Sequence, residues 1–125
     1  ILIDFFATWC KPCIRAFDHI REWDKNYKED GLVVVGLTTY QSRYEGQSVE
    51  PAEEMQKLKD DFVKKHDITW AVGVEKSGRQ TMTNYGVSGI PQIVLIDREG
   101  KVQYVKVGAA DYDKTEKKIQ QLLAE

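Results

Sequence analysis

The only two cysteines of this 125-residue chain stand at positions 10 and 13, inside "FFATWCKPC", residues 5 to 13. Trp9 precedes them, and Lys11 and Pro12 lie between them. Three chemistries suit such a pair: a structural bridge, part of a metal site, or reversible thiol–disulfide exchange. A bridge this short closes a small loop, which gains least in the chain-entropy view of disulfide stabilisation. Two cysteines also fall short of the dense framework of small secreted domains. A structural zinc site takes four Cys and His ligands. Beyond the cysteines only His19 and His66 remain, without paired-ligand spacing. Both read as surface helix histidines, His66 at a helix C-terminus, where positive charge is favoured. No metal and no cofactor other than the Cys10–Cys13 pair itself is expected.

Exchange chemistry makes a specific demand, a cysteine held as thiolate near neutral pH. The sequence meets it if Cys10 lies where a strand runs into a helix. Unpaired N–H groups and the partial positive charge of a helix N-terminus favour thiolate over thiol. Such surroundings lower a cysteine from about 8.5 to roughly 3.5–7.5. Lys11 adds a nearby cation. Cys13, three residues on, lies on the same side of the first turn, placed to resolve the mixed disulfide that Cys10 forms. Pro12 suits the first turn, where a missing N–H costs little.

The flanking elements supply that setting. "ILIDFFA", residues 1 to 7, reads as a buried strand. A helix over 10 to about 29 follows, with Cys13, Phe17, Ile20, Trp23 and Tyr27 on one face and Gly31 as its stop. "LVVVGLT", 32 to 38, reads as a strand buried on both faces, which suggests a parallel sheet. Residues 39 to 50 read as a polar loop carrying Tyr40, Arg43 and Tyr44. Pro51 opens a helix with an apolar stripe of Met55, Leu58, Phe62 and Val63, ending near His66. A strand at 70 to 75, a turn in 76 to 80 and a short helical turn to Tyr85 come next. Residues 92 to 97 and 101 to 107 form a hairpin. Asp113 and Glu116 resemble an N-cap pair for a last helix with Ile119, Leu122 and Leu123 inside. Strands alternating with helices argue for one α/β domain with a covered sheet, and no repeat or linker divides the chain. Trp23 and Trp70 are assigned to packing.

The strand–"WCKPC"–helix unit resembles the thioredoxin superfamily. "YGVSGIPQIVLIDREGKV", residues 85 to 102, resembles that superfamily's cis-proline region and last two strands. The α-β unit between residues 50 and 75 is similar to the insertion of the TlpA/ResA-like and peroxiredoxin-like branches, and "GIP" with "LIDREGK" points to the former. The resemblance spans the whole chain. It implies a thioredoxin-like fold, a central mixed sheet flanked by helices with an α-β insertion, and further family elements before a chain that opens inside a strand. It implies that Pro91 has a cis peptide bond, faces the CxxC and keeps metal from its sulfurs. It implies that Ile90 offers backbone groups to an extended substrate. Asp4 matches a buried aspartate that relays a proton to or from Cys13, although many TlpA-like members have asparagine there. A carboxyl in an apolar strand titrates high; the plain alternative is a strand-edge aspartate in water. Trp9 covers part of the active site by resemblance, or else belongs to the core. Gln92 departs from the threonine common after the proline.

The activity so implied is reduction of protein disulfides, with Cys10 as nucleophile and Cys13 as resolving thiol. Its partners are protein thiol and disulfide substrates and an upstream thiol electron donor, membrane-bound in such relatives, in an extracytoplasmic setting. Two other readings stand beside it. A peroxiredoxin-like peroxide reductase needs threonine or serine three residues before the reactive cysteine, where this chain has Ala7. A non-catalytic binding module has no use for an intact CxxC. Net charge is −2, so no basic surface calls for nucleic acid or anionic membrane. The longest apolar runs are strand-sized, well short of the ~20 residues of a membrane span.

Overall fold

In the computed structural model, which describes residues 1–76 and 78–125, five strands form one mixed sheet in the order β5-β2-β1-β6-β7. β1 (Leu2–Phe5) is its centre. It pairs in parallel with β2 (Val34–Thr39) and antiparallel with β6 (Gln92–Ile96). β5 (Ala71–Glu75) lies parallel to β2 at one edge, and β7 (Val102–Val107) antiparallel to β6 at the other. β1 and β6 are buried on both faces apart from the half-buried Ile96, as their continuous apolar runs require.

Side chains alternate across the sheet. Leu2 and Phe6 face a large cluster with Phe17, Ile20 and Trp23 of α1 (Lys11–Tyr27) and Ile119 and Leu122 of α5 (Tyr112–Leu123). Ile3 and Phe5 face a smaller one with Met82 of α4 (Gln80–Asn84). Helices therefore cover both faces. α1 runs two residues shorter at its far end than its periodicity predicts, and Gly31 at φ +111° closes the exit loop.

The insertion departs further from the sequence reading. Residues 39 to 50 are not all loop: β3 (Arg43–Tyr44) and β4 (Gln47–Ser48) pair as a small hairpin, turned through Glu45 and Gly46 at positive φ. The following helix is α2 (Pro51–Lys57), a π-helical turn (Leu58–Phe62) and α3 (Val63–Lys65). The wider turn seats both Leu58 and Phe62 in the main cluster. Phe62 stacks on Phe6 at 5.9 Å between ring centroids and meets Phe17 edge-on at 6.0 Å. The Asp113 cap is corrected as well. Asp111, left-handed at φ 54°, precedes α5 and makes no side-chain cap bond. Glu116 instead accepts from the hydroxyl of Tyr27 at 2.8 Å, a tie from α5 to α1. The turn expected within 76 to 80 is present at the described positions; Ser77 lies outside them.

Candidate active site

Cys10 ends the loop from β1 and is the N-cap residue of α1. It is joined to Cys13 by a disulfide with the two Cα atoms 5.2 Å apart. The backbone N–H of Cys13 donates to Cys10 Sγ at 3.2 Å. A sulfur here occupies the place of a capping oxygen, satisfying an N–H that the helix start leaves open. In the reduced protein the same donor and the helix dipole act on the Cys10 thiolate. Pro12 is the second helical residue, where it forfeits no helix hydrogen bond. Lys11 is exposed, its charge in water beside the cysteines. Cys13 is fully buried and Cys10 nearly so.

Asp4 lies on β1, paired with Gly36 and Ile93. Its position in the alternation puts it on the face that α1 covers, the face that also buries Cys13. It is 0% exposed, and neither carboxylate oxygen has a hydrogen-bond partner. Burial pushes its pKa up to about 7. The alternative of an aspartate in water is thereby excluded. One further polar group of this interior went unread in the sequence, the phenol of Tyr112 at the start of α5. Its hydroxyl is buried without a partner, and its pKa is raised by burial and by the charge of Asp4. Its ring lies flat against His19 at 4.3 Å, so this histidine, though exposed, is a packing partner. His66 is half-buried, 4.6 Å from the ring of Phe62, and burial lowers its pKa. It is less of a surface residue than its place at a helix end suggests.

Trp9 is 65% exposed, which removes the core-packing alternative. It forms part of the walls of two cavities. One, about 460 Å³, lies on the insertion side with Ile14, Tyr44 and Phe62. The other, about 250 Å³, lies on the opposite side with Ala7, Val87, Gly89 and Ile90. The Ile90–Pro91 peptide is cis. The register Phe5 to Gln92 places Pro91 beside the end of β1 that leads to Cys10. Ile90 precedes the β6 ladder, outside its pairing with β1. Gln92 points to the other face of the sheet from Asp4. It is buried, and neither its amide oxygen nor its nitrogen has a partner. Among the described residues no cluster of three or more His, Cys, Asp or Glu could hold a metal ion.

Comparison with known proteins gives a consistent picture. The redoxin family model matches residues 1–123. The thiol-disulfide oxidoreductase ResA of Bacillus thuringiensis subsp. konkukian is 31% identical over 102 residues, 82% of this chain and 51% of the relative. Protein DipZ of Mycobacterium bovis is 34% identical over 98% of this chain, and that stretch is 16% of DipZ. Among solved structures, a Chlorobium tepidum protein assigned as a thiol:disulfide interchange protein, DsbE, superposes with a TM-score of 0.77 at 31% identity. The match covers 98% of this chain and 78% of that one. The chain thus spans about half the length of the ResA relative, 51%.

Proposed function

This chain belongs to the redoxin family, and on that footing we propose that it is a thiol–disulfide oxidoreductase that reduces disulfides in other proteins. The observation that carries the reading is the Cys10–Cys13 pair, bonded at the N-terminus of α1 with the Cys13 N–H aimed at Cys10 Sγ. In the reduced enzyme the Cys10 thiolate attacks one sulfur of a substrate disulfide. A mixed disulfide forms, and the other substrate sulfur leaves as thiolate and takes up a proton. Cys13, deprotonated, then attacks Cys10 Sγ. The intramolecular disulfide closes and the second substrate thiol is released. Two electrons and two protons pass to the substrate, and an external dithiol donor must restore the pair.

Cys13 is 0% exposed, so its sulfur is out of reach of bulk solvent. Asp4, on the same face and titrating near neutrality, is the group assigned to accept that proton and return it. The trough holding Ile90 and Trp9 is assigned to an extended substrate segment, pairing with the backbone of Ile90, which lies outside the β1–β6 ladder. Pro91 is assigned to shield the sulfurs. The TlpA/ResA-like resemblance supports an extracytoplasmic setting and a membrane-bound donor. Peroxide reduction is disfavoured because Ala7 brings no hydroxyl to the position before the cysteine turn.

Equilibration in defined dithiol/disulfide buffers tests the reading. A midpoint below about −200 mV supports a reductase, and one near about −120 mV reverses the direction to disulfide insertion.

A further inference from the structure

The Trp9 indole is tied to the loop that leads from β2 into the insertion. Its N–H donates to Gln41 Oε1 at 2.9 Å. The amide nitrogen of Gln41 donates to the carbonyl of Thr39 at 3.1 Å and to its hydroxyl at 2.7 Å. An indole N–H only donates and a carbonyl only accepts, so the amide has one workable orientation. The backbone at this point is clamped in turn by Glu54, which is 8% exposed. One of its carboxylate oxygens accepts from the N–H of Gln41 at 2.7 Å, the other from the N–H of Ser42 at 2.9 Å. Ser42 is left-handed at φ 61°, a conformation that a non-glycine residue keeps only where its surroundings impose it. A buried carboxylate with two charge-assisted N–H bonds supplies that imposition. α2 therefore reaches the active site by a continuous path: Glu54, the loop after β2, Gln41, Trp9.

What this path fixes is a partition. Trp9 is the wall common to the two cavities. Its angle bears on the width of both, and, 65% exposed and next to Cys10 in the chain, it is a surface along which a polypeptide presenting a disulfide can lie. A small disulfide needs neither width. We propose that Gln41 and Glu54 are positioning residues that hold the Trp9 indole for polypeptide substrates, making the insertion a determinant of selectivity for protein over small disulfides. The proposal rests on the oxidoreductase reading above.

The test compares wild type, Gln41→Met and Gln41→Glu on a protein disulfide (insulin) and on 2-hydroxyethyl disulfide. All carry 5-fluorotryptophan, with the Trp9 resonance assigned by Trp9→Phe. Methionine matches glutamine in length but offers the indole only a weak sulfur acceptor and no donor to Thr39. In Gln41→Met the Trp9 fluorine signal moves while those of Trp23 and Trp70 stay, and the ratio of kcat/KM for protein over small disulfide falls about tenfold, mainly through KM. Gln41→Glu keeps the acceptor for the indole but loses the donor to the Thr39 carbonyl, so it restores only part of the ratio. Glu54→Gln, which leaves one N–H facing an amide donor, lowers the ratio in the same direction. The proposal is overturned if the Trp9 signal does not move in Gln41→Met, or if the signal moves and the ratio holds. It is overturned equally if both activities fall together. If wild type reduces neither disulfide, the oxidoreductase reading fails, and this inference with it.

Discussion

Cys13 caps its own helix on Cys10: its backbone N–H meets the Cys10 sulfur at 3.2 Å, so the backbone of one cysteine serves the sulfur of the other. The two cysteines differ in what surrounds them. Cys10 lies at the positive end of α1 beside Trp9, and Cys13 lies a turn inside, wholly enclosed. Reactivity should follow that asymmetry.

In the reduced protein, iodoacetamide at neutral pH is therefore expected to modify Cys10 well before Cys13. The rate should reach half its maximum at a pH below the ordinary thiol value of about 8.5. Cys10→Ser abolishes disulfide reduction, and Cys13→Ser accumulates mixed disulfides with protein substrates. Peptide mapping of the alkylated product decides the point. Modification of Cys13 first would reverse the assigned roles.

Asp4 makes the oxidised fold sensitive to pH. In the folded protein it titrates at about 7, against 3.8 for the unperturbed group. Between those values the folded chain holds a proton that the unfolded chain has released. Stability therefore falls as pH rises from about 4 to about 7 and levels off above. The window corresponds to about 4 kcal/mol at most. Asp4→Asn removes the ionisation while keeping the shape. Urea unfolding of oxidised Asp4→Asn should show greater stability than wild type at pH 8, with the difference shrinking towards pH 4. A constant difference across that range would mean that Asp4 ionises in the fold at the same pH as in the unfolded chain, and that burial does not raise its pKa.

Some of this was legible in the sequence because it rests on short-range rules. The CxxC at a strand–helix junction and the apolar face of α1 can each be read from spacing and neighbours, whereas the buried Asp4 is implied by the family resemblance and its apolar neighbours only lean that way. What the sequence concealed depends on contacts across the fold. Glu54 looks like a favourable charge in the first turn of a helix, and nothing local reveals that it holds two N–H groups thirteen and twelve residues away. Gln41 is an ordinary loop amide until Trp9 arrives against it. The hairpin of β3 and β4 has two residues a side, too few for alternation to register. The π turn distorts a helical stripe whose residue types were read correctly.

That π turn is expected to matter for stability. Phe62 is 2% exposed and touches both Phe6, the residue after β1, and Phe17 of α1. Phe62→Ala leaves a cavity where three rings meet, and should cost about 3–5 kcal/mol. Phe62→Leu keeps part of the volume and should cost less than half of that. Denaturant unfolding of the two variants measures both. A loss below about 1 kcal/mol for alanine would show that the insertion packs independently of the core.

Arg21 ties the far end of the insertion to α1. Its guanidinium donates to the carbonyl of His66 at 2.5 Å and, through Nε, to that of Asp67 at 2.9 Å. These carbonyls belong to the C-cap residue of α3 and the residue after it, and Asp67 is left-handed at φ 50°. The planar fork suits two neighbouring acceptors, which a lysine ammonium cannot span in the same way. Arg21→Lys should therefore lose most of what Arg21→Ala loses, about 1–3 kcal/mol. Arg21 also pairs with Asp18 at 3.0 Å, but that carboxylate is 80% exposed. Asp18→Ala should change stability by no more than about 0.5 kcal/mol. The acceptors of the fork are neutral, so the Arg21→Ala loss should vary little between low and high salt, and faster amide exchange should be confined to the turn after α3. A loss that disappears in high salt would assign the effect to the Asp18 ion pair instead.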